Sequence, residues 1–339
     1  MQHNKVAVLG PIPRDTIISH RGETIEKYGC VTHTAIALAN LMNGKGEIVP
    51  VTHIRKSDTE PILEIFKAYP NINTEHISNE FDSGDVIQLR FVDQNNRLEK
   101  QTSAMSPILP NDVKAVLDAD VFVCVPVTDY EVPLETIKFI KEYSKATVVF
   151  DAHGPTNGLS HQGDRFMKLW VTRDQWLPYL DVLKMNLEEA GCSWFKKEYQ
   201  MEELNGERRI ERHEIPDFAR HCLHHGLRCL CVTLDEKGVL VYTVENGQLR
   251  EDWIKSIPVN TVVDTTGCGD SFAGGLAYGL LANHFDYIGA AKYANAMGAQ
   301  RTQGKTFEVF KPIAETQAMI DEFYAEKAAI ETQFYALKG

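Results

Sequence analysis

Short, continuous apolar runs alternate with helical patterns along much of the chain. Apolar runs lie at 6–10, 121–125 and 147–151, and a helical pattern over 133–143 separates the last two. Strands buried on both faces of a parallel sheet have continuous runs of this kind, because helices cover both of their faces. The pattern therefore predicts an α/β fold built on a mostly parallel sheet.

Two segments interrupt this rhythm with alternating apolar and polar residues. The segment at 14–28 turns at Arg21-Gly22, and the segment at 84–105 turns at 93–97. Each predicts a β-hairpin, and together they predict a small sheet that projects from the main one. The remaining patterns predict helices over 31–41, 59–68, 216–225 and 287–299, a strand over 49–54, a strand–turn–strand unit over 230–241 and a helical tail over 312–337.

Composition narrows the class of protein. The chain has 339 residues, of which 43% are hydrophobic and 24% charged, and we expect one domain over 1–339. The net charge of -12 argues against nucleic acid or an anionic membrane as a partner. The polar start and the lack of a long apolar run predict neither a secretion signal nor a membrane segment. Seven cysteines without paired spacing predict reduced thiols and a cytoplasmic location.

One stretch carries most of the candidate chemistry: D-T-T-G-C-G-D-S-F-A-G-G at 264–275. Gly267 and Gly269 flank Cys268, so the backbone can turn there and leave its N–H groups uncovered. A helical pattern follows, and a helix N-terminus favours a bound anion. Asp270 comes next, and a carboxylate beside a phosphate suits a base that takes a proton from an attacking hydroxyl. The alternative is a strand-to-helix turn in which Asp270 only caps the helix.

This stretch resembles the C-terminal signature of the ribokinase-like (PfkB-type) carbohydrate kinases. The resemblance implies that Asp270 is the catalytic base and that Gly267, Cys268 and Gly269 form the anion hole, with Cys268 in the place of the usual alanine. It also implies a three-layer α/β/α sandwich in which the small β-sheet, at about 14–28 and 84–105, is a lid over the acceptor. ATP and Mg²⁺ are the implied cofactors, and a monovalent cation such as K⁺ is a further candidate.

Further matches to the family imply the residues that bind ATP, the phosphoryl donor. Asn186 and Glu189 match the Asn-x-x-Glu element of the family, and Glu189 would help to organise Mg²⁺. The alternative is a helix capping box. The resemblance also assigns Thr266 to the nucleotide site, together with a nucleotide loop that keeps Thr233 and Gly238. In that loop Asp235 stands where a glycine is usual. The helix over 287–299 would place Asn295 beside the adenine.

The residues that would bind the phosphoryl acceptor match the family less closely. Asp15 matches an aspartate that binds substrate hydroxyls, whereas the segment around Gly29 and His33 keeps one glycine and lacks the usual asparagine. Asp151 ends a predicted strand, where open α/β sheets bind ligands, and His153 follows it. The alternative is that these are ordinary loop or core residues.

The resemblance predicts a kinase that phosphorylates a hydroxymethyl group of a sugar or sugar-like molecule. Two alternatives remain: a nucleoside kinase, and a nucleotide- or sugar-binding protein without turnover. A homodimer through the lid is expected. His221 and His225 lie four residues apart and could share a metal, but we expect no carboxylate or thiol nearby to complete such a site, so we interpret them as solvated helix residues.

Overall fold

The computed structural model describes residues 4–19, 21–92, 97–195 and 210–337. The strands are β1 Lys5–Leu9, β2 Arg14–Ile18, β3 Thr24–Tyr28, β4 Glu47–His53, β5 Ile77–Ser78, β6 Val86–Phe91, β7 Arg97–Ser103, β8 Val121–Cys124, β9 Thr147–Asp151, β10 Asn157–Leu159, β11 Arg165–Met167, β12 Val182–Asn186, β13 Cys229–Thr233, β14 Val239–Glu245, β15 Gln248–Ile254 and β16 Ile330–Ala336. The helices are α1 Val31–Met42, α2 Thr59–Phe66, α3 Pro110–Val113, α4 Leu134–Tyr143, α5 Arg173–Trp176, α6 Leu187–Ser193, α7 Ile215–His224, α8 Cys268–Ala282, α9 Tyr287–Arg301 and α10 Ile313–Tyr324.

The central sheet has the strand order β16-β15-β14-β13-β12-β9-β8-β1-β4-β5. The pairings from β13 to β5 are parallel, and those from β13 to β16 are antiparallel. Successive strand residues point to opposite faces, so Val6 and Val8 join one hydrophobic core, whereas Ala7 and Leu9 join the other. The first core includes α1, α8 and α9, and the second includes α4 and α7. This confirms the predicted α/β/α sandwich.

The predicted small sheet is also confirmed. Its order is β3-β2-β6-β7, with antiparallel hairpins β2–β3 and β6–β7 joined by a parallel pairing of β2 with β6. Along β6, Ile87 and Leu89 are buried while Gln88 and Arg90 are exposed. One face of this sheet therefore covers the body of the protein and the other faces solvent.

The prediction of a helical tail was wrong beyond residue 324. Helix α10 ends at Tyr324, and Ile330–Ala336 forms β16, which pairs antiparallel with β15. This segment alternates β-branched and aromatic residues with polar ones, and the unpaired edge of β15 supplies the hydrogen-bonding partner that a local pattern cannot show. Residues 93–96 of the turn predicted at 93–97 lie outside the described residues, as do residues 196–209.

Candidate active site

A cavity of about 390 Å³ opens where the parallel strands end and the small sheet begins. Asp151 and Asn186 are the last residues of the neighbouring strands β9 and β12, and both line it, as expected at the carboxyl edge of an open α/β sheet. Most residues predicted for the site also line it, namely Asp15, Gly29, His33, Asp151, His153, Asn186, Glu189, Thr266, Gly267, Cys268, Gly269 and Asp270.

The glycine loop is held in a conformation that requires glycine. Gly267 precedes helix α8 with φ 82, in the left-handed region. A Cβ built there would lie 2.5 Å from the ring of His33, which is 1% exposed. Any larger residue would therefore be strained and would collide with a buried ring. The predicted anion hole needs one correction, because the backbone N–H of Cys268 donates to the carbonyl of Thr265 at 3.2 Å.

The remaining N–H groups of this loop stay available. Within the described part of the chain, the backbone nitrogens of Gly267, Gly269 and Asp270 donate to no backbone carbonyl. They lie at the start of α8, a helix of 15 residues whose dipole adds partial positive charge at this end. The loop can therefore hold an anionic group through two or three backbone donors.

Asp270 is half-buried in the first turn of α8 and lines the same cavity. Its carbonyl oxygen accepts a hydrogen bond from the Thr34 hydroxyl at 3.0 Å, which fixes the backbone. Burial, and secondly the charge of Asp151, raise the pKa of the Asp270 carboxyl to about 6, against the opposing charge of Lys184. A carboxyl with this pKa is ionised at neutral pH and can accept a proton there.

Lys184 places a positive charge at the floor of the cavity. The register of β12 and β9 makes Lys184 and Asp151 direct neighbours, and Lys184 Nζ lies 2.7 Å from Asp151 Oδ2. Burial alone would lower the pKa of Lys184, but the charges of Asp151 and Glu189 outweigh it and raise the pKa. The lysine is therefore charged although it is only 6% exposed.

Asn186 and Glu189 form the capping box that was the structural alternative, and they also line the cavity. The Asn186 side chain accepts from the Glu189 N–H, and Glu189 Oε2 accepts from the Asn186 N–H, both at 2.8 Å. Glu189 Oε1 lies 2.9 Å from His153 Nδ1. Burial would raise the pKa of Glu189, but the hydrogen bond from His153 and the charge of Lys184 lower it. Glu189 is therefore an ionised carboxylate that is 2% exposed.

The oxygen donors around Glu189 fit Mg²⁺. Glu189, Asp151 and the Asn186 amide lie at one side of the cavity, and carboxylate and amide oxygens are the ligands that this hard cation takes. Both Glu189 oxygens already accept protein hydrogen bonds, which suits contact with the ion through water more than direct ligation.

The end of the cavity that was predicted to bind the acceptor lies under the small sheet. Asp15 on β2 is 5% exposed, and burial raises the pKa of its carboxyl to about 8. A Cβ at Gly29 would lie 2.6 Å from Asp15 Oδ2, so a glycine is needed for this close approach. Ile87 and Leu89 supply apolar surface beside these polar groups. This combination suits a small molecule with hydroxyl groups and an apolar carbon face.

A cation from the β10–β11 hairpin completes this end. Arg165 Nε donates to Glu99 at 2.9 Å and its Nη1 donates to Gln101 at 3.0 Å, both on strand β7. Its Nη2 lies 3.3 Å from His153 Nε2, which makes Nδ1 of His153 the protonated nitrogen that faces Glu189. The lid, Arg165, His153 and Glu189 thus form a continuous polar chain across the cavity.

Behind the loop, Asp264 joins three elements. Its Oδ2 lies 3.1 Å from Arg301 Nη2 and 2.7 Å from Lys27 Nζ of strand β3, and its Oδ1 accepts from the Thr266 N–H at 2.9 Å. Burial opposes ionisation of Asp264, but Lys27 and the Thr266 hydrogen bonds lower its pKa to about 2. Arg301 is fully buried and also donates from Nε to His33 Nδ1 at 3.2 Å. These contacts tie the loop to α9 and to the lid.

Three residues that were predicted to bind the nucleotide do not line this cavity, namely Asn295, Gly238 and Thr233. The Asn295 side chain donates to the carbonyls of Ile254 and Lys255 and to the Tyr324 hydroxyl. Gly238 approaches the backbone of Ile254, where a Cβ would lie 2.1 Å from the carbonyl oxygen. Thr233 ends β13, and Asp235 of the same loop does line the cavity, with φ 52. The roles of Asn295, Gly238 and Thr233 stay predictions.

The interpretation that no carboxylate approaches His221 and His225 was wrong. Asp174, far away in sequence, lies 2.7 Å from His221 Nε2. However, Arg173 donates to both Asp174 Oδ1, at 2.8 Å, and His221 Nε2, at 3.0 Å. Its guanidinium therefore lies against both ligand atoms, and its positive charge disfavours a cation there.

Lys184, Arg165 and Arg301 were absent from the sequence-based site. A lysine between apolar residues of a buried strand is unusual and was a usable signal for Lys184. Arg165 reaches the cavity through a hairpin whose position depends on tertiary contacts, and Arg301 lies in a helix that carried no recognised motif.

Comparison with known proteins identifies the family and agrees with the fold. The model of the pfkB family carbohydrate kinases matches residues 92–308. Ribokinase of Staphylococcus aureus (strain COL) is 24% identical over 330 residues, which cover 92% of this chain and 98% of that one. Similar solved structures include a sulfate complex of a pyrophosphate-dependent kinase in the ribokinase family (TM-score 0.69, 19% identity, 93% of this chain and 99% of that chain covered). They also include Arabidopsis thaliana ribokinase complexed with ribose and ATP (TM-score 0.67, 17% identity, 94% and 99% covered).

The fold and site define a phosphotransferase with an alcohol group as acceptor. More narrowly, the chain belongs to the pfkB family of carbohydrate kinases, with a ribokinase-like fold. Family membership sets aside the interpretation as a binding protein without turnover. In the part of the chain that the structure describes, no helix is both long and apolar enough to cross a membrane.

Proposed function

We propose that this protein uses ATP to phosphorylate a hydroxymethyl group on a sugar or sugar-like small molecule. One observation carries the proposal: Asp270 lines the same cavity as Gly267 and Gly269, whose N–H groups donate to no backbone carbonyl among the described residues. The acid can receive a proton within reach of donors that can hold a phosphoryl group. Neither feature alone would indicate transfer.

The residues divide the reaction between them. Asp15 and its neighbours orient the acceptor, and the hydroxyl proton passes to the Asp270 carboxylate as the oxygen forms its bond to the γ-phosphorus. The bond from that phosphorus to the leaving oxygen of ADP breaks, and the backbone N–H groups of Gly267 and Gly269 stabilise the charge on the transferring group. Glu189 would hold Mg²⁺ through water, where the ion would neutralise donor phosphates.

An acceptor panel tests this assignment. Unphosphorylated sugars, polyols and nucleosides would be incubated with ATP or pyrophosphate as donor, with and without Mg²⁺ and K⁺, and phosphorylated product would be detected by ³¹P NMR. We expect product from ATP with a sugar or polyol. Turnover of nucleosides alone would favour a nucleoside kinase, and turnover from pyrophosphate alone would contradict the ATP assignment.

Two further expectations belong to this proposal. A homodimer through the lid predicts a mass of twice 38.2 kDa in light scattering, and loss of that dimer when the outer face of the small sheet is altered. A cytoplasmic location suits a kinase that needs ATP and is tested by fractionation of the source cells. Neither expectation affects the chemistry assigned to Asp270.

A further inference from the structure

Lys184 lies where a phosphoryl group would be transferred. It belongs to the buried strand β12, and its side chain is 7% exposed. A Cβ built on Gly269 would lie 3.0 Å from Lys184 Nζ, so the ammonium group is next to the second glycine of the loop. That glycine also supplies one of the uncommitted N–H groups described above.

The ammonium group is only partly used by the protein. Among the described residues its hydrogen-bond acceptor is Asp151, at 2.7 Å. A lysine has three N–H donors, so two remain for other partners. Lys184 lines the cavity, and its charge is felt by Glu189 and Asp270. The ammonium group therefore has donors left for a group bound in the cavity.

We propose that Lys184 is a further catalytic residue, which donates hydrogen bonds to the oxygens of the phosphoryl group as it moves from donor to acceptor. The inference rests on the proposed function. Lys184 keeps its proton throughout, since Asp270 receives the proton of the acceptor hydroxyl. The ammonium group adds a full positive charge to the backbone donors at the point where negative charge spreads over the phosphoryl oxygens.

The main alternative is a structural ion pair, and the chain offers a matched control for it. Lys141 Nζ lies 2.7 Å from Asp181 Oδ2, and Asp181 is 4% exposed. This pair has the same chemistry and distance as Lys184 with Asp151, but it does not line the cavity. Lys141→Met should reduce stability and leave kcat within about twofold, whereas Lys184→Met should lower kcat by at least about 10²-fold.

A double variant separates the two roles. Removing either partner of a buried pair leaves an unpaired charge, and removing both relieves it. If Lys184 is structural, Asp151→Asn with Lys184→Met should be at least as active as Asp151→Asn alone. If Lys184 contacts the phosphoryl group, the double variant should recover stability but remain at least about 10²-fold slower than Asp151→Asn. Lys184→Arg, which keeps the charge, should retain more activity than Lys184→Met.

The experiment compares kcat, KM for both substrates and the midpoint of urea unfolding in wild type, Lys184→Met, Lys184→Arg, Lys141→Met, Asp151→Asn and the double variant. A kcat of Lys184→Met within about threefold of wild type overturns the inference, as does a double variant as active as Asp151→Asn. An inactive wild type with every acceptor and donor instead overturns the proposed function, and with it this role for Lys184. The two failures are therefore distinguishable.

Discussion

The pKa of Asp270 can be tested by changing only the pH. If Asp270 is the base, its ionised form is the active one. Burial and the charge of Asp151 raise its pKa from 3.8 to about 6, so activity should fall as the pH drops through 6. A carboxyl with an ordinary pKa would remain ionised until well below pH 5.

The size of the effect follows from the two pKa values. With a pKa of about 6, the ionised fraction is about 91% at pH 7 and about 9% at pH 5, so kcat/KM should fall about tenfold. With a pKa of 3.8, about 94% would remain ionised at pH 5 and kcat/KM would hardly change. Asp151→Asn removes one of the two main causes of the raised pKa and should move the fall to lower pH.

The assay would measure initial rates from about pH 4.5 to 7, with phosphorylated product detected directly so that no coupling enzyme responds to pH. Circular dichroism at each pH would verify that the protein stays folded. Rates above pH 7 would be left out, because Asp15 titrates at about 8. A kcat/KM that is flat down to pH 5 in folded protein would refute the assignment of Asp270 as a half-buried base with a raised pKa.

Three other predictions concern the residues around the base. Asp15→Asn should change the KM for the acceptor by less than about fivefold at pH 7, because the Asp15 carboxyl is already protonated at that pH. Asp15→Ala should raise this KM more, because it removes the hydrogen-bonding group. A large increase in KM for Asp15→Asn would show that the Asp15 carboxylate anion is needed. Gly267→Ala should lower kcat by about 10²-fold, since the new Cβ meets the His33 ring at 2.5 Å, and a near-normal kcat would contradict the rigid loop described above. Asp264→Ala leaves Arg301 unpaired and should lower the free energy of unfolding by about 3–5 kcal/mol, measured in urea. In wild type this contribution is present above about pH 4 and is lost as the pH falls towards the Asp264 pKa of about 2. The free energy of unfolding should therefore decrease between about pH 4 and about pH 2, and an unchanged value over that range would contradict this prediction.

The sequence allowed the fold to be predicted where local pattern and tertiary structure agree. The continuous apolar runs marked the parallel strands, and the alternating segments marked the two hairpins of the lid. A helix was wrongly predicted over Ile330–Ala336, because this segment forms a strand by pairing with the edge of β15, and its own sequence pattern does not show that partner.

The residues of the candidate site also fall into two groups, those that the local sequence predicts and those that depend on tertiary contacts. Gly267 and Asp270 could be found because a positive φ, a helix start and an adjacent acid are all written in consecutive residues. Lys184 depends on its register with Asp151, and Arg165 depends on the position of a hairpin against the lid. Contacts between residues that lie far apart in the sequence cannot be predicted from the local sequence pattern. Cys268 shows a different limit, because its N–H group, which the sequence suggested was free to bind an anion, donates to the carbonyl of Thr265 within the turn.

The most direct test of the account compares single-turnover rates of wild type and Asp270→Asn at saturating ATP and acceptor. Asp286 provides the control, because it caps helix α9 through the N–H groups of Ile288 and Gly289 outside the cavity. We expect Asp270→Asn to transfer the phosphoryl group at least about 10²-fold more slowly while binding ATP with an affinity close to that of wild type, and Asp286→Asn to keep the wild-type rate. An Asp270→Asn variant that transfers phosphate at the wild-type rate would contradict the central claim that this carboxylate removes the proton of the attacking hydroxyl.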